Sequence, residues 1–337
     1  MALTIPGITW RGIRSAATKE LAIRVDAGMM NALKQPDPKM WWVPLVMSVP
    51  TDPGVEATRL PIDFEDLGEW EEDVGPSVAK GAKPLASILI PRKPWKKVRR
   101  IPTADLKRNG FAGWPDKLVA LALSARRMEG VIVRDLIFQA ATKVLTYQGI
   151  TLIHASGHRC DPTDEDSDTF GNLHTTNSNF DSAGWEGAQT TKFARLGPGG
   201  FGLDMDCNIV LGGTAMRPKF DRMFKRVITL DSDSNGAAGV TNIHATQVEG
   251  GTIAIVSSWL DKHPWKLANT TKDHWWTIST TYPARPFGIV SEGAPEYAIL
   301  DVGSEYEISN DEIFIKGKMA ANGAGAFPHT IDEYRGT

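Results

Sequence analysis

Leu118, Leu121, Ala125, Met128, Ile132 and Leu136 recur at spacings of three and four, which predicts one long amphipathic helix over residues 114–145. Pro115 suits its first turn, where the missing N–H costs nothing, and Asp116 sets negative charge at the positive end of the helix dipole. Unbroken, such a helix is about 48 Å long at 1.5 Å per residue. Gly130 interrupts the pattern at a cost of about 1 kcal/mol relative to Ala, so a bend or a close contact is expected there. Arg126, Arg127, Glu129, Arg134 and Asp135 make up the opposite, solvated face.

A second helical pattern covers residues 11–34, with Ile13, Ala16, Ala17, Leu21, Val25 and Met29 on one side, ending before Pro36. It has little sequence beside it to pack on, which suggests an arm. From Trp41 the chain turns apolar and β-branched, and Pro44 and Pro50 allow an edge strand while disfavouring a central one. Residues 74–86 and 87–101 read as the two limbs of a protruding hairpin. Beyond the long helix, residues 147–156 suggest a turn and a short strand, and Asp181 can cap a helix over 182–195. Residues 207–211 and 250–257 read as buried strands, and 218–224 as a short helix. Residues 265–268, 276–280, 287–290 and 313–319 alternate or run apolar as strands do. The mixture is α+β, with no regular strand-helix-strand alternation and no internal repeat.

Charge sharpens the picture of the hairpin. Seven acids and no base lie between positions 63 and 73: Asp63, Glu65, Asp66, Glu69, Glu71, Glu72 and Asp73. Eight bases lie between positions 92 and 108: Arg92, Lys93, Lys96, Lys97, Arg99, Arg100, Lys107 and Arg108, against the single acid Asp105. Such blocks are either ordinary solvated loop or complementary surfaces that attract one another between copies of the chain.

A formal net charge of −3 over 337 residues excludes a protein that grips nucleic acid over its whole surface. No stretch of 18 apolar residues occurs, so no membrane is implied, and the first residues lack a signal-type apolar core. Folding in a cytoplasm is the expectation. Cys160 and Cys207 are too few for a disulfide scaffold, and eleven Trp favour interfaces as well as cores.

The candidate chemistry fails on context. Gly197, Gly199 and Gly202 satisfy GxGxxG, but a helix precedes them and a strand follows, the reverse of a dinucleotide site. His154, His158, Cys160 and Asp161 are all possible zinc ligands, yet no second cluster has matching spacing. Asp231, Asp233, Asn235 and Gly236 open like a calcium loop, but Asn242 stands where a bidentate Glu is needed. The acids Asp164, Glu165, Asp166 and Asp168 read as a hydrated loop. No nucleophile elbow, HExxH or Walker loop is present, so no catalytic residue, cofactor or metal is expected.

In this order (arm, acidic block, hairpin, basic block, long helix, polar turn, mixed domain) the chain resembles phage major capsid proteins of the HK97-like fold, and among them the Mu-like major head subunits. Pro61 with Glu69-Trp70 is similar to the segment leading into the family's extended loop. Tyr147-Gln148-Gly149 with Leu152 and His158 resembles its YDGxxLFxxxH stretch, here with Gln148 in place of the acid. Residues 177–195 followed by 206–211 are similar to its helix and following strand. The resemblance implies an N-terminal arm and first P-domain strands over 1–67, an extended E-loop hairpin over 68–108 and a P-domain spine helix within 109–150. It further implies an A-domain over 151–273 and P-domain return strands over 274–337.

The function so implied is self-assembly into hexamers and pentamers of an icosahedral shell around double-stranded DNA, with no sequence-specific binding. The implied partners are copies of the chain, a scaffolding protein, a portal and a decoration protein. The expected contacts between subunits are Glu69, Glu71, Glu72 and Asp73 with Arg92, Lys93, Lys96, Lys97, Arg99 and Arg100. An encapsulin-type compartment shell shares that fold and is the near alternative. A metal-dependent enzyme using His154, His158 and Cys160 is the alternative of another class.

Overall fold

A computed structural model describes residues 3–5, 8–11, 20, 21, 23, 40–50, 56–62, 86–107, 113–161, 166–176, 178–197, 200, 202–225, 228–230, 239–241, 252–281, 284–291, 296–300 and 305–336. Most of the predicted arm helix, the acidic block, the hairpin tip and the calcium-like loop lie outside these residues. The strands are β1 (Leu3–Ile5), β2 (Ile8–Arg11), β3 (Val46–Pro50), β4 (Ala57–Ile62), β5 (Ala86–Pro91), β6 (Pro94–Pro102), β7 (His158–Arg159), β8 (Thr169–Phe170) and β9 (Leu173–His174). They continue as β10 (Ile209–Gly212), β11 (Ile228–Leu230), β12 (Gly239–Thr241), β13 (Ile253–Val256), β14 (His274–Ile278), β15 (Phe287–Ser291), β16 (Glu296–Leu300), β17 (Glu312–Gly325) and β18 (Ile331–Arg335). The helices are α1 (Thr103–Leu106), α2 (Trp114–Arg126), α3 (Met128–Gln139), α4 (Ser182–Phe193), α5 (Arg217–Lys225), α6 (Pro264–Ala268) and α7 (Glu305–Asn310). Among the described residues no helix is long and apolar enough to cross a membrane.

Two sheets organise the chain. The seven-stranded sheet runs β1-β2-β16-β17-β15-β3, with β6 also on β17, and the five-stranded sheet runs β13-β10-β14-β18-β9. β3 is an edge strand paired parallel to β15 and ends on Pro50, while Pro44 sits in the short turn Val43–Leu45, as the prolines require. The main core lies where α3 faces both sheets. Val133 and Ile137 of α3, with Ala140 just beyond its end, meet Phe287 and Ile289 of β15 on one side and Ile209, Leu211, Trp276, Ile278 and Ile331 on the other. A second cluster, Phe180, Trp185, Val210, Phe220, Trp275 and Tyr334, fills the far face of the five-stranded sheet under α4 and α5.

The predicted single helix over 114–145 is two helices, interrupted at Arg127 (φ −73°, ψ −7°) and ending at Gln139. The Ser124 hydroxyl donates back to the Leu121 carbonyl at 2.7 Å, a bond that bends helices one turn before the break. Gly130 supplies a close contact: a Cβ there would lie 2.5 Å from the Trp42 ring. The last turn closes because the Gln139 carbonyl accepts from the N–H groups of Thr142, Lys143 and Val144. The supposed solvated face is partly covered, since Arg134 pairs with Asp135 at 2.6 Å and lies 5.9 Å above Trp259.

The hairpin differs in its pairing. β5 pairs with β4, so the limb opposite residues 86–91 is 57–62, and residues 94–102 leave the ribbon to pair with β17. Pro91 and Pro94, each lacking an N–H, end one ladder and begin the next. Residues 147–156 form no strand beyond the single bridge Leu145 to Thr151. Residues 265–268 are helix α6, because Pro264 occupies its first turn and the His263 side chain accepts the Trp265 N–H as a cap. β13 is an edge strand with Ile253 57% exposed, where a buried strand was expected. The C-terminal strands divide: β15, β16 and β17 join the sheet of the long helices, whereas β14 and β18 complete the five-stranded sheet with β10.

Candidate assembly surface

Six of the predicted contact residues fall on or beside β6, and all six are exposed: Arg92, Lys93, Lys96, Lys97, Arg99 and Arg100. Alternation along the strand divides the last four between two faces. Trp95, Lys97, Arg99 and Ile101 stand opposite Met319, Gly317, Ile315 and Ile313 of β17, on the side covered by α2. Between that side and the helices runs a groove of about 290 Å³ lined by Trp95, Lys97, Leu121, Met128, Tyr297 and Met319. On the other face Lys96 lies directly opposite Lys318, Val98 opposite Lys316 and Arg100 opposite Phe314. Glu296 of β16 flanks Lys318 on its far side, and Glu312 approaches Arg100 at 4.0 Å. Like charges placed directly across a strand pair are destabilising, and Glu296, opposite Lys318 on its other side, offsets part of the Lys96–Lys318 repulsion. The Trp95 indole N–H donates to the Ala321 carbonyl at 2.8 Å and fixes the start of the strand. Glu69, Glu71, Glu72 and Asp73, the proposed complement, lie outside the described residues.

Two acids that sequence reading did not single out are fully buried on β18. Asp332 faces α4, where Lys192 pairs with it, together with Arg195 just past the helix end at 2.6 Å and His174 of β9 at 3.3 Å. Burial alone would raise its pKa, but the Arg195 and Lys192 charges outweigh that and hold the carboxyl well below the ordinary range. Arg195 also donates to the His329 carbonyl at 2.8 Å and stacks over Phe170 at 4.3 Å. Glu333, its neighbour, points to the other face. Its Oε1 accepts from His274 Nε2 at 2.8 Å and from Arg335 Nε at 2.7 Å. These pairs hold the five-stranded sheet together; removing one partner of such a pair leaves an uncompensated buried charge.

The sequence motifs are not assembled into a site. His154 is exposed, its Nδ1 engaged with the Ser156 carbonyl, while His158 is buried against Phe170 at 5.3 Å between ring centres. Burial raises the Cys160 thiol pKa, and the Asp161 N–H donates to Ser167 Oγ. Among the described residues the ligand atoms that do converge, all within 4.8 Å, belong to His263, His274 and Glu333 instead. No spacing announces that trio. The glycine run is a connector, with Leu196 bridged to Gly202 and Gly200 at φ +77°, between α4 and β10; Gly199 lies outside the described residues. Asp231, Asp233, Asn235 and Gly236, with Asp164 and Glu165, also lie outside them.

No known sequence family and no curated protein sequence matches this chain. Solved structures do. The procapsid of bacteriophage JBD30 aligns at a TM-score of 0.51 with 11% identity, over 96% of this chain and 77% of that chain. The capsid of an empty GTA particle gives 0.47 at 11% identity, over 90% and 96%, and a virus-like particle from Pyrococcus furiosus gives 0.46 at 11%, over 94% and 98%. The fold likeness rests on the first of these. The mixed α+β chain, with long helices on one sheet and a second sheet beyond them, has the HK97-like fold of phage capsid subunits.

Proposed function

We propose that this chain is a phage major capsid protein. Its copies assemble as hexamers and pentamers into an icosahedral shell around double-stranded DNA, and it is not an enzyme. Its place is the virion, after assembly in the host cytoplasm with scaffolding, portal and decoration proteins. Membership of the Mu-like head subunits belongs to the same proposal. It draws on Tyr147, Gly149, Leu152 and His158; Gln148, which departs from that pattern, takes the Arg159 N–H and donates to the Arg159 carbonyl, tying the turn after the helices to β7. The domain division belongs to the same proposal, changed in one respect: β14 and β18, expected among the P-domain return strands, are assigned to the A-domain with β10.

The observation that carries the reading is the face of β6 and β17, where Lys96, Lys316, Lys318 and Arg100 crowd one surface. Near-neutral net charge fits the same function, since a uniformly basic chain would hold the genome against its lining. The acidic block of a neighbouring copy is the complement that docks there. Changing Lys96, Lys97, Arg99 and Arg100 together to Glu leaves the subunit folded by circular dichroism and abolishes particles under electron microscopy. Wild-type-like particles from that variant would remove the docking role. Nucleic acid inside wild-type particles supports the phage shell, and a cargo enzyme inside them marks the encapsulin-type alternative.

A further inference from the structure

His263, His274 and Glu333 come from three separate segments: the cap of α6, the first residue of β14, and β18. They are 4%, 2% and 0% exposed. The two imidazole rings stand 4.5 Å apart, walled by Phe138 at 5.3 Å from His263, and by Trp276 at 4.2 Å and Trp265 at 4.8 Å from His274. Within this aromatic box three polar atoms lack a hydrogen-bond partner, His274 Nδ1, Glu333 Oε2 and the Trp276 indole Nε1. A buried polar atom left so carries the cost of its lost hydration with nothing to offset it. Glu333 Oε1, by contrast, is taken by both His274 and Arg335. His263 Nδ1 is held only by a long bond from the Trp265 N–H, 3.3 Å.

The geometry points to a binding site for a first-row divalent cation, zinc by preference, formed by His263, His274 and Glu333. Two imidazole nitrogens and one carboxylate oxygen are donors of the kind zinc takes, three of the four ligands it needs. A calcium site would demand six to eight oxygens, which this box does not offer. Arg335 on Glu333 Oε1 would orient the carboxylate from outside the ligand set. The bound ion would tie β18 to the segment between β13 and β14, locking the last strand of the chain into the second sheet.

This site is independent of the shell reading, and the test reads metal rather than particles. Subunit stripped with chelator and dialysed against zinc sulfate should retain one zinc per chain by elemental analysis. Cobalt(II) loaded in its place should show the visible bands of a four-coordinate site. His263→Gln removes one ligand at the cost of the long cap bond and the ring's hydrogen bond to the Ile137 carbonyl, and should weaken zinc binding at least about 100-fold while far-ultraviolet circular dichroism stays native. His274→Gln should do the same. Wild-type protein that retains less than one zinc, or a folded His263→Gln variant that binds zinc as wild type does, overturns the site. In the first case His274 and Glu333 form a hydrogen-bonded clamp and nothing more.

Discussion

Gly130 is where the sequence pattern predicts a cost and the structure shows its use. In mid-helix it forgoes about 1 kcal/mol against Ala, yet it lets the Trp42 ring lie flat on α3 where a Cβ would come within 2.5 Å. Trp42 cannot yield easily, being 1% exposed and stacked on Trp259 at 5.9 Å. Gly130→Ala should therefore lower the urea stability of the unassembled subunit by about 1–3 kcal/mol. Gly187, an exposed helical glycine in α4 with nothing within 4 Å of a built Cβ, is the control, and Gly187→Ala should gain up to ~1 kcal/mol. Equal gains in both variants would show that Trp42 does not need the space. The glycine was legible in the sequence as an exception to the stripe. Its partner was not, because Trp42 sits 88 positions away in a stretch that reads only as apolar.

At the scale of elements, what was legible is what local chemistry decides. Asp181 caps α4 by accepting the Gly184 N–H at 2.7 Å, as its type and place predict. β10 is buried at every position, as its apolar run predicts. β18 went unseen because Ile331-Asp332-Glu333-Tyr334-Arg335 reads as a polar tail, and only Lys192, Arg195 and His274, brought from distant segments, make it a buried strand. α6 was mistaken for a strand because Trp265 to Ala268 is too short a run to show a period, and Pro264 was the better clue. The small β7–β8 hairpin carries a measurable consequence. His158 in it is fully buried, and burial first, then the neighbouring His154 and Arg195, lowers its pKa from 6.5 to about 4. The folded state thus holds this imidazole neutral where the unfolded chain would protonate it, so its contribution is whole above about pH 6.5 and is lost as pH falls toward 4. Replacing His158 by Leu should make the acid limb of the stability profile shallower by about 1.4 kcal/mol per pH unit within that window, and leave the neutral region's slope unchanged. An unaltered acid limb would show that His158 is protonated in the folded protein. His263, His274 and His329 are lowered by burial too, so the limb is reduced and does not vanish.

At the scale of the whole molecule, the order of charged blocks and helices is legible from sequence, and the way they serve contacts between copies is where two physical accounts diverge. Basic residues on β6 have a use that needs no neighbour, since lysines on a sheet-edge strand discourage stray strand pairing. The proposed assembly use is the other account, in which a second copy's Glu69, Glu71, Glu72 and Asp73 would dock on them. Sign exchange separates the accounts, because attraction between blocks survives if both are reversed, whereas edge protection does not depend on the acidic block at all. Glu69, Glu71, Glu72 and Asp73 changed together to Lys should block particles as the reversal of Lys96, Lys97, Arg99 and Arg100 does. The two sets of changes in one chain should restore particles to within a few-fold of wild type in sedimentation and electron microscopy. The restored particles should also inherit the salt sensitivity of the original, with yield falling as ionic strength rises above the physiological range, where the screening length drops below about 8 Å. If the double exchange stays soluble, folded and unassembled, the blocks do not meet across subunits. The crowding of Lys96 against Lys318 would then be edge protection alone.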